Sequence, residues 1–212
     1  AYLILILPHS IITVSVVTAL LPRLSNYVID KKHDELTNSL VKAIRLIGIF
    51  TVPAALMFLA FGQLIANTLY FGISNADANY LGLTLSAFAL GLIPVSINLV
   101  LLRGLNAFEN LKSQVIGNLI MNLISIVLSY LVASWFEPKW VTVGLAGIFT
   151  IHYFIGAGIS FYLIRRHQVR LPLLSISLYY LKLMLIFALV LAPIWLLKGE
   201  IPGGNLISLL LV

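Results

Sequence analysis

The chain contains no cysteine, and only 9% of its 212 residues are charged. Without cysteine there can be no disulfide, thiolate nucleophile or thiolate-bound metal. Hydrophobic residues make up 61% of the chain and the mean hydropathy is +1.07. Ordinary soluble domains are roughly half apolar and a quarter charged. So few charges could not cover a soluble domain of this length, and the composition predicts an all-α polytopic membrane protein. Acids are scarcest of all. Asp30, Asp34, Glu35, Asp77, Glu109, Glu137 and Glu200 all fall in predicted connections or at membrane edges. An intramembrane carboxylate is the usual proton or sodium site, so its absence argues against cation-coupled antiport within this segment. The phosphate-binding G-x-x-x-x-G-K-[ST], the zinc motif H-E-x-x-H and the nucleophile motif G-x-S-x-G are also missing. No connection is long enough for an ATPase domain. We expect no covalent catalysis, no cofactor and no metal site. The net charge of +6 does not point to nucleic acid, because a Lys/Arg excess in a membrane chain records its orientation.

What the chain does have is long apolar runs. A span needs about 20 mostly apolar residues, and six stretches qualify, at roughly 1–21, 44–69, 80–102, 115–135, 141–164 and 177–197. A seventh begins at Asn205 and stops at Val212. The pattern starts in mid-run at Ala1, so we expect a piece of a longer protein, cut at both ends. Basic residues alternate between the connections. Arg23, Lys31, Lys32, Lys42 and Arg45 lie between the first two spans, and Arg103 and Lys112 follow the third. Arg165, Arg166 and Arg170 follow the fifth, and Lys182 enters the sixth. The other connections hold only Lys139 and Lys198. The positive-inside rule therefore puts the first set in the cytoplasm and runs the first span inward. Near residues 33–43, Leu36, Leu40 and Ile44 recur every four residues beside Asp34, Glu35 and Asn38. That pattern predicts a short amphipathic helix, either interfacial or a solvated linker.

Polarity inside the spans is neutral or basic. Gln114, Asn118, Asn122, Ser125 and Ser129 follow one another at helical spacings and share one face of the fourth span. Facing lipid, their amide groups would go unsatisfied. The face therefore either bonds other helices or lines a polar cavity. His9 and Thr13 share a face of the first span, with the same two readings open. His152, Gly156 and Ser160 form a small-residue face on the fifth span, suited to close packing. Pro8, Pro53, Pro94 and Pro193 are expected to bend or interrupt their spans. Arg23 and Arg103 end spans on the predicted cytoplasmic side, as topology markers or as contacts to an anionic head group.

Two stretches carry a family resemblance. LPHSIITVSVVTALLPRLS (7–25) resembles the eighth-helix segment of the MurJ/MviN lipid II flippases, within the multidrug/oligosaccharidyl-lipid/polysaccharide exporter superfamily. The shared features are Leu7-Pro8, a small-residue apolar helix and the terminal L-P-x-L-S at 21–25. LLRGLNAFENLKSQ (101–114) resembles the family's cytoplasmic connection at Arg103-Gly104, Ala107 and Lys112, and departs from it at Leu105, Asn106, Asn110 and Gln114. The amphipathic helix and LYFG (69–72) fall between them in family order.

The resemblance implies that the whole chain is the second helix lobe of such an exporter, helices eight to thirteen and the start of fourteen. It divides the chain into lobe helices at 1–170 and a C-terminal helix pair at 171–212, with a groove for a polyprenyl tail. It also implies a multi-pass protein of the bacterial inner membrane that moves lipid II outward by alternating access. The expected partners are lipid II, membrane lipids and an N-terminal lobe of the same protein. Under this reading His9, Thr13, Asn118, Asn122 and Ser125 are cavity candidates, and Arg23 and Arg103 are head-group candidates. The alternatives are an exporter of another polyprenyl-linked saccharide or a drug, or a non-transporting scaffold of cell-wall synthesis.

Overall fold

A computed structural model describes residues 2–70, 72–109 and 111–197, without the side chains of residues 7–9, 11, 12 and 197. Among the described residues every regular element is a helix. α1 (Tyr2–His9) passes through a π-helical turn (Ser10–Val14) into α2 (Ser15–Ile29). α3 (His33–Leu69), α4 (Asn75–Ala89), α5 (Leu92–Ala107), α6 (Leu111–Trp135), α7 (Pro138–Arg166) and α8 (Leu173–Leu197) follow. Among the described residues five helical stretches are long and apolar enough to cross a membrane, with α4 and α5 together forming one of them. The first run is helical as expected. Its π turn divides it into pieces, each shorter than a span.

Prolines act less uniformly than the sequence predicts. Pro22 does not end the first helix, which continues through Arg23 to Ile29. Pro53 and Pro193 lie inside helices that continue past them. The predicted third span does break, at Leu90–Gly91 between α4 and α5. That position is one turn before Pro94, where the proline ring would clash with the carbonyl of residue 90. The irregular residue of α3 is Phe61 (φ −121°, ψ 17°), far from Pro53 and next to Gly62. A Cβ on Gly62 would lie 2.7 Å from the Gly82 carbonyl oxygen, and one on Gly82 would lie 2.5 Å from the Gln63 nitrogen. α3 and α4 thus meet backbone to backbone, in the manner of membrane helices joined by small residues.

The predicted amphipathic helix forms, but it is not a separate element. It is the first third of α3 and continues without interruption into the span. Leu36, Leu40 and Ile44 are fully buried, in a cluster with Leu101, Leu105 and Ile164. The polar edge with Asp34, Glu35 and Asn38 is exposed. A second cluster joins Ala55, Phe58, Phe61 and Leu64 to Leu85 and Leu92.

Three connections meet at one end of the bundle. α2, α5 and α7 each end with a non-glycine residue of positive φ, at Lys31, Glu109 and Gln168. After α2 the Lys31 N–H donates to Val28 and the Lys32 N–H to Tyr27, the hydrogen-bond pair of a Schellman cap. Phe108 stacks on His167 at 4.4 Å between centroids and on His33 at 6.4 Å. Lys31, Lys32 and Arg170 lie in these connections, and Lys112, Arg165 and Arg166 in the adjoining helix turns. At the other end Ser74 caps α4, its hydroxyl accepting from the Asp77 N–H at 3.1 Å.

Candidate functional site

α5, α6 and α7 bring their polar residues together in the middle of the bundle. Asn98 on α5 is buried (4% exposed), and its Oδ1 accepts a 2.7 Å hydrogen bond from the hydroxyl of Ser160 on α7, itself 3% exposed. Two residues earlier on α5, the hydroxyl of Ser96 donates to the Leu92 carbonyl and lies 3.5 Å from Thr13 Oγ1. On α6, Ser125 Oγ and His152 Nδ1 of α7 are 2.7 Å apart. Gln114 Nε2 donates to Asn106 Oδ1 at 2.9 Å, tying the start of α6 to the end of α5. Gly156 allows this approach, because a Cβ there would run into Met121 and crowd Asn98.

A cavity of about 230 Å³ lies among these groups, and Asn98, Asn118, His152 and Tyr153 supply its polar lining. Its lining suits hydrogen bonding to a polar group. Among the described residues no cluster of His, Asp or Glu could hold a metal ion. The histidine on the lining is engaged with a serine, and the Tyr153 ring stands beside it with centroids 5.0 Å apart.

The predicted candidates divide across this geometry. Asn118 lines the cavity and Ser125 reaches it through His152. Asn122 is on the same face of α6 but exposed in this chain. Thr13 is fully buried against Ser96, outside the cavity lining. The His9 side chain lies outside the described residues. Arg23 is exposed, in the interior of α2 and not at its end. Arg103 is half-buried near the end of α5, and its buried Nε has no acceptor among the described residues. Sequence reasoning missed Asn98 and Ser96. Their signal was present in the polar pair of PVSINLV (94–100), the only polar residues of that stretch.

A second space is apolar. α8 lies along α3, with the Tyr180 hydroxyl donating to the Ile44 carbonyl at 2.8 Å and Tyr179 to that of Arg45 at 3.2 Å. Between α8 and the rest of the bundle runs a groove of about 570 Å³. Leu56, Ile93, Ile97, Phe154, Leu181 and Met184 are among the side chains that line it.

The family model described as lipid II flippase MurJ matches residues 1–212. A protein of Treponema pallidum (strain Nichols), named as a probable lipid II flippase MurJ, is 26% identical over 192 residues. The match covers 87% of this chain and 35% of the relative. The chain thus spans about a third of the length of the curated relative it matches. With a family match over its full length, two motifs in family order and an all-helical membrane architecture, this chain belongs to the MurJ lipid II flippase family.

Proposed function

We propose that this chain is the second helix lobe of a transporter that moves lipid II from the inner to the outer leaflet. The observation that carries this reading is the family match along the whole chain. The polar groups of α5, α6 and α7 supply a chemical rationale. A pyrophosphate-linked saccharide cannot enter hydrocarbon unaided, because burying an unpaired charge costs tens of kcal/mol in the idealised limit. A protein lowers that barrier by offering a polar route to the head group while the tail stays in lipid. Asn98, Asn118 and His152 offer hydrogen-bonding groups along such a route. Asn122, exposed in this chain, extends the same face toward whatever packs on α6. No bond is made or broken, so the chain needs no nucleophile or general base.

In this reading His9, Asn118, Asn122 and Ser125 serve the head-group route, Thr13 supports it through its contact with Ser96 on α5, and Arg23 and Arg103 serve its cytoplasmic mouth. The residues up to 170 form the lobe, and α8 begins a C-terminal helix pair. The groove under α8 suits a polyprenyl chain, being almost wholly apolar and bounded by helices of the lobe.

The test is depletion of the full-length protein in its native cell, followed by labelling of lipid II at the outer surface. Outer lipid II should fall while total lipid II rises. Unchanged outer lipid II would remove the substrate assignment and bring forward export of another polyprenyl-linked molecule.

A further inference from the structure

The opposite face of α8 from the groove carries a different kind of pocket. It has a volume of about 360 Å³ and is lined by Arg45 of α3 and by Leu174, Ser175, Leu178, Tyr179 and Lys182 of α8. Two of these six residues are cationic and none is acidic. Arg45 Nη2 donates to Ser175 Oγ at 2.8 Å, and its guanidinium lies 5.5 Å from the centre of the Tyr179 ring. These contacts hold the cation at the pocket wall. Yet Arg45 Nε, shielded from solvent, has no acceptor among the described residues. The pocket thus gathers two positive charges with no acid to neutralise them, which favours an anionic partner. Ser175 stands in the first turn of α8, where the helix dipole adds positive potential. Leu174 and Leu178 at the rim are 75% and 47% exposed, and are suited to acyl chains beside a charged head. The pocket is at the basic end of the bundle, which the positive-inside rule places against the cytoplasmic leaflet.

We propose that Arg45, Ser175, Tyr179 and Lys182 form a binding site for the phosphate of an anionic membrane lipid. Arg45 supplies a fork of donors to the phosphate oxygens, Lys182 a second charge, and the leucines a seat for the tails. The phosphate has two possible sources, a glycerophospholipid of the leaflet or a polyprenyl phosphate. The site is distinct from the polar cavity and from the groove, and binding to it is read without any transport measurement.

The experiment uses the purified full-length protein in detergent, with lipid retention measured by native mass spectrometry. One arm adds phosphatidylglycerol, with zwitterionic phosphatidylcholine as comparator; the other adds undecaprenyl phosphate. A basic residue near a membrane surface is worth about 1 kcal/mol, so each lost charge should weaken retention about fivefold. Lys182→Gln should show that loss, and Arg45→Gln combined with Lys182→Gln a larger one, while Lys139→Gln at the other end should not. Lys182 makes no described hydrogen bond within the protein, so its variant keeps the test valid if Arg45→Gln disturbs the packing of α8. A loss confined to phosphatidylglycerol identifies a leaflet phospholipid, and one confined to undecaprenyl phosphate identifies the polyprenyl lipid. Equal retention of both lipids by wild type, Lys182→Gln and the double variant overturns the proposal.

Discussion

Asn98 and Ser160 are the clearest case of two polar residues that a membrane helix tolerates only as a pair. Each is nearly inaccessible, and each satisfies the other. Ser160→Ala should cost about 0.5–2 kcal/mol in reversible unfolding of the full-length protein. The double variant with Asn98→Leu should lose less than the sum of the two single variants. Additive losses would mean that the two residues act separately. His167 permits a second test, outside the spans. Burial pushes its imidazole below the ordinary value of 6.5, so below that pH the unfolded chain holds more protons than the folded one. The stabilising contribution is present above 6.5 and is lost as the pH falls through the depressed folded value. His167→Phe keeps a ring against Phe108 and should flatten the pH dependence of thermal stability between pH 7.5 and 5. Identical pH profiles would count against the assignment.

Among the elements, the contact of α3 with α4 is the least forgiving. Gly82→Val would put side-chain atoms into the backbone at Gln63, where no rotamer change can make room. Overpacking usually costs about 1–3 kcal/mol, and with backbone as the obstacle the loss should reach the upper end or exceed it. Thermal unfolding of the full-length variant checks this, and a wild-type melting temperature would refute the close approach. The glycines could be seen in the sequence, but their pairing could not, since Gly62 and Gly82 meet only after the chain reverses direction between α3 and α4. The prolines show the same limit. Four were expected to disturb their helices, but α8 runs on through Pro193 and the irregular residue of α3 is Phe61, not Pro53. A proline removes one backbone bond, and whether the helix then breaks depends on what neighbouring elements hold in place.

For the whole molecule, family and architecture agree. The MurJ match and the five candidate spans make this a multi-pass protein of the bacterial inner membrane. If the groove under α8 holds a polyprenyl tail, Met184→Trp should narrow it and weaken binding of a long polyprenyl lipid several-fold, leaving a short-chain analogue unaffected. Equal affinities for both chain lengths would place the tail elsewhere. The outer face of α6 fits the same picture: Leu119, Leu123, Ile126, Val127 and Tyr130 are all largely exposed, as residues turned to lipid or to another lobe would be.

The sequence alone determined the solvent and, among the described residues, five of the six expected spans, because twenty apolar residues with almost no charge are stable only in hydrocarbon or a core. It also revealed the polar face of α6 through its spacing. Only the tertiary structure decided which polar groups meet. Ser125 finds His152 and Ser160 finds Asn98 across helices far apart in the chain. It likewise merged residues 33–43 into α3, because Leu36, Leu40 and Ile44 bury against Leu101, Leu105 and Ile164. Local periodicity records which face of a helix is apolar. What that face packs against depends on where the other helices come to lie.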